Sequence, residues 1–97
     1  MIKHMVAFRF RPDVKEDDQA RLLAELNDFP KRFSAMKRWS LGQNISRRDD
    51  TFTHGFTVEF ETEEELIAYL GSESHERFVT ERFRPLIQQR AIVSLSV

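Results

Sequence analysis

Two nine-residue runs alternate side-chain character at every step, and this constrains the fold more than any other feature of the chain. In residues 2–10, Ile2, His4, Val6, Phe8 and Phe10 fall on one side, and Lys3, Met5, Ala7 and Arg9 on the other. In residues 52–60, Phe52, His54, Phe56, Val58 and Phe60 share one side, and Thr53, Gly55, Thr57 and Glu59 the other. A period of two is that of a strand with one buried face. A helix would scatter these apolar groups around its circumference, so both runs are expected to be strands of one sheet.

The segments between them read differently. Pro12-Asp13 ends the first strand, and Asp13 with Glu16 resembles a capping box opening a helix. Leu22, Leu26, Phe29 and Phe33 then fall on one helical stripe, with Leu23 beside it. Pro30 is expected to end that helix near residues 27–29. A second strand is expected over about Met36–Ser46, with Trp39, Leu41 and Ile45 on one side and Gly42 marking a bulge or close approach. Arg47-Arg48-Asp49-Asp50 is the turn into the third strand. Thr62-Glu63-Glu64-Glu65 is a capping box whose carboxylates suit a helix N-terminus. That helix should run to Leu70 and stop at Gly71. Ser72 or Ser74 caps another, which carries Phe78, Val79, Phe83 and Leu86 and is ended or kinked by Pro85. Residues 90–97 form the last strand, with Ala91, Val93, Leu95 and Val97 alternating. The order β-α-β-β-α-β is ferredoxin-like: an α+β protomer with a four-stranded antiparallel sheet and helices on one face.

A chain of 97 residues is one small domain, taken as residues 1–97. It buries only about 60–65% of the surface its unfolded form exposes. A second subunit is therefore expected to add stability. The odd-numbered sheet face, Met5, Ala7, Arg9, Thr53, Gly55, Thr57 and Glu59, mixes small and polar groups. It is either solvated or packed on the same face of a second copy, with Arg9 and Glu59 able to pair there. Charges of 15 and 16 leave a net of −1. The basic clusters, such as Arg47-Arg48 followed by Asp49-Asp50, are short and locally neutralised. No nucleic-acid or anionic-membrane partner is expected. No run approaches the ~18 apolar residues of a membrane span. With no cysteine and no signal peptide visible, a cytoplasmic protein is the expectation.

All three histidines stand among apolar neighbours. His75 shares the stripe of Phe78 and Val79, and Tyr69 that of Leu66 and Leu70. The break at Gly71 lets the two converge from successive helices. Such a pair suits proton transfer, with His75 as base and Tyr69 as orienter or acid, as in abstraction next to a carbonyl. It equally suits a hydrogen bond that satisfies two buried polar groups. His4 and His54 fall on the apolar face of neighbouring strands, read as running parallel. Each is either a satisfied core histidine or part of the floor of the same pocket, with Phe8, Phe56 and Phe78 around it. Three histidines without a short ligand spacing do not make a metal site. No phosphate loop or nucleophile elbow is present, and no cofactor is expected.

Four segments in this order resemble the stress-responsive dimeric α/β-barrel (Dabb) family: Lys3-His4-Met5-Val6-Ala7-Phe8-Arg9-Phe10, Gly42-Gln43-Asn44-Ile45-Ser46, Phe52-Thr53-His54-Gly55 through Phe60, and Tyr69-Leu70 with His75 and Phe78. The resemblance implies a ferredoxin-like protomer and a homodimer whose two sheets form a barrel. It implies an association with stress responses, and for many members no assigned biochemistry. A few members are cofactor-independent polyketide cyclases using a Tyr/His pair between helices and sheet. The expected function is thus small-molecule binding in that cleft. The alternatives are a cyclase- or isomerase-like enzyme using His75 and Tyr69, or a cofactor-free monooxygenase. Three positions depart from the family pattern: Phe52 where Tyr is common, Gly71-Ser72-Glu73-Ser74 in place of His-Pro-x-x, and Ser94 near a frequent Asp.

Overall fold

A computed structural model describes residues 1–97. The elements are β1 (Ile2–Phe10), α1 (Glu16–Asn27), α2 (Phe29–Arg32), β2 (Lys37–Gln43), β3 (His54–Phe60), α3 (Glu63–Leu70) and α4 (Glu73–Phe78). A π-helical turn (Val79–Phe83), α5 (Arg84–Leu86) and β4 (Ile87–Ser96) complete the chain. The sheet has the order β2-β3-β1-β4, and every neighbouring pair is antiparallel. This is the ferredoxin-like α+β fold.

The expected boundaries move in several places, and β4 opens at Ile87 rather than at 90. Asp13 does not cap α1; the helix begins at Glu16 after Lys15, with no side-chain cap bond. Pro30 does not simply end a helix but sits in the first turn of α2, where its missing N–H costs nothing. β2 closes at Gln43, short of Ser46, because the Asn44 side chain turns the chain by donating to the Asp49 and Phe52 carbonyls. β3 opens at His54 rather than at 52. The capping box of α3 is formed as expected, with Thr62 and Glu65 each satisfying the other's backbone N–H. Gly71 ends α3, and Ser72 caps α4 by accepting from the His75 N–H.

The core lies between the sheet and the helices. Phe8, Phe29, Phe60, Leu22, Leu26 and Val58 are its most buried apolar side chains. It is dominated by edge-to-face aromatic pairs, such as Phe29–Phe78 at 4.8 Å and Phe8–Phe83 at 5.4 Å. On the β2 side Trp39 closes the layer, stacking on Phe56 at 4.7 Å and donating to Asn27 at 2.8 Å. The π turn is tied to α1 by a two-pronged pair between Arg82 and Glu25. The β4 side is left open: its helix-facing residues Arg90, Ile92 and Ser94 are exposed.

The other sheet face carries no helix. Across it, Gly42, Gly55, Ala7 and Ala91 stand in register and form a shallow trough. The alternating apolar residues of β4 belong to this face, opposite Met5 and Lys3, where Val93 is 47% and Leu95 42% exposed. Within one protomer Arg9 does not pair with Glu59. The antiparallel register puts Glu59 opposite Lys3, at the far end of β1. Arg9 donates instead to the Thr51 carbonyl at 3.1 Å, and Glu59 accepts from Arg38 at 3.4 Å.

Candidate active site

A cleft of about 390 Å³ opens between the sheet and the α3–α4 layer, toward the uncovered side of β4. Its floor comes from β1, β3 and β4 through His4, Val6, Phe56 and Ile92. Its roof and end wall come from Tyr69, His75, Phe78, Thr80 and Phe83. Most of the wall is apolar and aromatic, with a few converging polar groups, as in sites for small organic molecules.

His75 reaches the cleft because α3 stops at Gly71 and Ser72 restarts the helix. The loop brings the imidazole beneath the last carbonyl of α3, and Nδ1 lies 3.0 Å from the Leu70 oxygen. A carbonyl only accepts, so Nδ1 carries the proton and Nε2 holds the free lone pair. Burial lowers the His75 pKa from its ordinary value of 6.5, opposed by the Leu70 bond and the Glu76 charge. The ring is therefore a neutral base near pH 7.

Tyr69 lies beside it, with ring centroids 4.5 Å apart. No Tyr–His hydrogen bond is made: the one side-chain bond of His75 runs from Nδ1 to Leu70, and the two rings meet by packing. The Tyr69 hydroxyl bonds to no protein group and is not sealed in the core. Burial pushes its pKa up, so the phenol stays protonated and acts as a donor.

His4 is the third polar group, 2% exposed at the middle of the sheet. Its Nδ1 lies 2.8 Å from Ser94 Oγ on β4, and its ring meets Tyr69 edge-on at 6.2 Å. Burial first, and the nearby His75 second, lower its pKa. Ser94 is thus the hydrogen-bond partner of His4.

His54 and Phe8 stand apart from this cleft. β1 and β3 are antiparallel, not parallel, so His4 faces Val58 while His54 faces Phe8. Four residues of strand, about 13 Å, separate the two histidines along the sheet. His54 stacks on Phe8 at 5.7 Å and takes a bond from or to Thr53 Oγ at 2.9 Å. Phe8 is fully buried under Phe83 and Phe10. The cleft thus gathers His4, Phe56, Phe78, Tyr69 and His75, and leaves out His54 and Phe8. Because the three imidazoles do not converge, they form no joint ligand set. The reading from sequence missed Thr80, Arg84, Arg90 and Ile92. For β4 the available signal was Arg90 and Ile92 falling in step, on the side opposite Ala91 and Val93.

The description "Stress responsive A/B Barrel Domain" fits a family model that matches residues 2–97. A Dabb family protein with a ferredoxin-like fold from Mesorhizobium loti is 20% identical and superposes with a TM-score of 0.88, covering 99% of this chain and 95% of that one. A hydroxynitrile lyase from Passiflora edulis is 19% identical with a TM-score of 0.90, over 99% and 92% of the two chains. A dimeric ferredoxin-like protein of unknown function from Thermobifida fusca is 18% identical with a TM-score of 0.82, over 99% and 90%. Two further structural relatives, from Bacteroides fragilis and Jannaschia, are also dimeric. No curated protein is significantly similar in sequence. No helix is long and apolar enough to cross a membrane. With the family model matched over nearly its whole length, the chain belongs to the stress responsive A/B barrel (Dabb) domain family.

Proposed function

We infer that the cleft between sheet and helices binds a small molecule with a flat apolar body. The observation that carries this reading is the open volume of about 390 Å³ between His4, Tyr69 and His75, which the surrounding phenylalanines do not fill. A filled core would have sealed the Tyr69 hydroxyl against a partner. The test is a thermal-shift screen of small aromatic compounds against wild type and His75→Ala. Binders should raise the wild-type melting temperature by mass action and the variant's by less. A screen without a single shift would end this reading.

A second reading is cofactor-independent proton transfer at the same place. It is favoured by the Nδ1–Leu70 bond, which presents Nε2 of a neutral imidazole as base. The protonated Tyr69 would then donate to a developing oxyanion. The structural relative that is a hydroxynitrile lyase makes acid–base chemistry a reasonable use of this fold. A cyclase, an isomerase or a cofactor-free monooxygenase would each use the same pair. In any of them, His75→Ala and Tyr69→Phe should each abolish most turnover, with the double variant little worse than the poorer single.

The protein working as a homodimer through the helix-free sheet face completes the proposal. Support comes from exposed Val93 and Leu95 on that face and from the dimeric relatives. Sedimentation should give a dimer for wild type and a monomer for Val93→Glu. A cytoplasmic, stress-linked role accords with the absence of cysteine and the family description.

A further inference from the structure

Two cations line the open end of the cleft. Arg84 comes from α5 and Arg90 from β4, and neither forms an ion pair or side-chain hydrogen bond within the protein. Arg90 is unusual for its place. On the helix-facing side, β1 presents Ile2, His4, Val6, Phe8 and Phe10, and β3 presents His54, Phe56, Val58 and Phe60. β4 adds Arg90, Ile92, Ser94 and Ser96 to the same side. Arg90 is thus the only side chain of full charge on that face of these three strands. Arg90 is exposed where the helices leave β4 uncovered, so its charge stays solvated and free to meet a ligand in the cleft it lines. The cleft's one carboxylate, Glu76, adjoins His75 instead and biases that imidazole. Two guanidiniums and one carboxylate leave the wall net positive, with the positive charge at the mouth.

The geometry points to an aryl carboxylate as the class of ligand this cleft takes, with its anion held by Arg84 and Arg90 and its ring among Phe56, Phe78 and Phe83. This rests on the cleft being a binding site, and adds the charge and orientation of its occupant. A planar guanidinium matches a carboxylate with two parallel bonds, and charge-assisted bonds of that kind are about twice as strong as neutral ones. The apolar wall favours the ring, while the arginines at the rim fix which end enters last. The far end of such a ligand is then the part that meets Tyr69 and His75.

The test compares 2-naphthoate with 2-naphthamide, which differ in charge and hardly in shape, by calorimetric titration at low and high salt. Wild type should bind naphthoate about tenfold or more tightly than the amide, and salt should shrink that preference. In Arg84→Gln/Arg90→Gln the preference for naphthoate over the amide should disappear. Arg90→Lys, which keeps the charge but loses the fork, should retain part of the preference. Equal binding of both compounds by wild type overturns the anion assignment while leaving the cleft as a binding site. Binding of neither overturns the cleft reading and this one with it. A preference that survives the double substitution moves the anion site away from these arginines. The wild-type comparison decides the ligand class even where a variant fails to fold.

Discussion

The two ends of the β1–β3 pair carry the same residue in the same pattern and do different things with it. At one end His54 stacks on Phe8 and meets Phe10 edge-on, with Phe83 over Phe8. At the other, His4 faces Tyr69 and His75 across open space. Both histidines alternate with phenylalanine and valine, and both have pKa values lowered by burial. The difference lies in what packs above them. Phe83 descends from the π turn onto the closed end, while the break at Gly71–Ser72 holds α3 and α4 around the other without filling it. Position in a strand says which face a side chain takes; the neighbouring layer says whether that face is core or site.

The largest expected effect separates the ends by volume. Phe8→Ala, at the closed end, should cost about 3–5 kcal/mol in a urea melt, because nothing can collapse into the hole. Phe78→Ala, beside the cleft, should cost roughly 1 kcal/mol less, since part of its surroundings is already empty. Equal losses would mean the cleft is no more open than the core. Next comes the polar contribution. His4→Leu removes the bond to Ser94 and should cost about 1–2 kcal/mol, more than His54→Leu, whose Thr53 partner is exposed and has water to turn to. The reverse order would break the comparison.

Titration sharpens it further. The folded-state pKa values of His4 and His75 lie below 6.5, so the unfolded chain binds protons first. Stability should therefore be fully present above about pH 7 and fall as the pH drops through 6.5 toward the lower folded values. His4→Leu and His75→Leu should each flatten that fall, and His54→Leu should flatten it less, because its ring is half-exposed and no second histidine is near. Denaturant midpoints between pH 7 and pH 5 would read this out. The smallest effect belongs to Tyr69→Phe, expected within about 0.5 kcal/mol, because the lost hydroxyl has no protein partner. A larger loss would reveal a structural bond from Tyr69 to His75.

Much of this could be read from residues in order. Alternation in 2–10 placed β1 and its inward face, and Thr62 with Glu65 placed the start of α3. The convergence of Tyr69 and His75 followed from a helix broken at Gly71. Local spacing carries such facts because each depends on a few adjacent residues. The separation of His4 from His54 depends instead on strand direction, which no short window contains. Nor does any short window show that Arg9 and Glu59 lie six residues out of register within one protomer. The π turn has no signature in composition, and Arg84 looks from sequence like any solvated residue beside a proline.

That π turn has a consequence for how such a cleft changes over time. Between Val79 and Phe83 the backbone carries the extra residue that separates a π turn from an α turn. A π turn takes up one extra residue within a single widened turn, so removing one position there should leave α4 and β4 in phase with the sheet and alter only the side chains of the turn itself. Val79, Thr80 and Phe83 of that turn line the cleft, so its wall can be reshaped there while His75 and Phe78 keep their places.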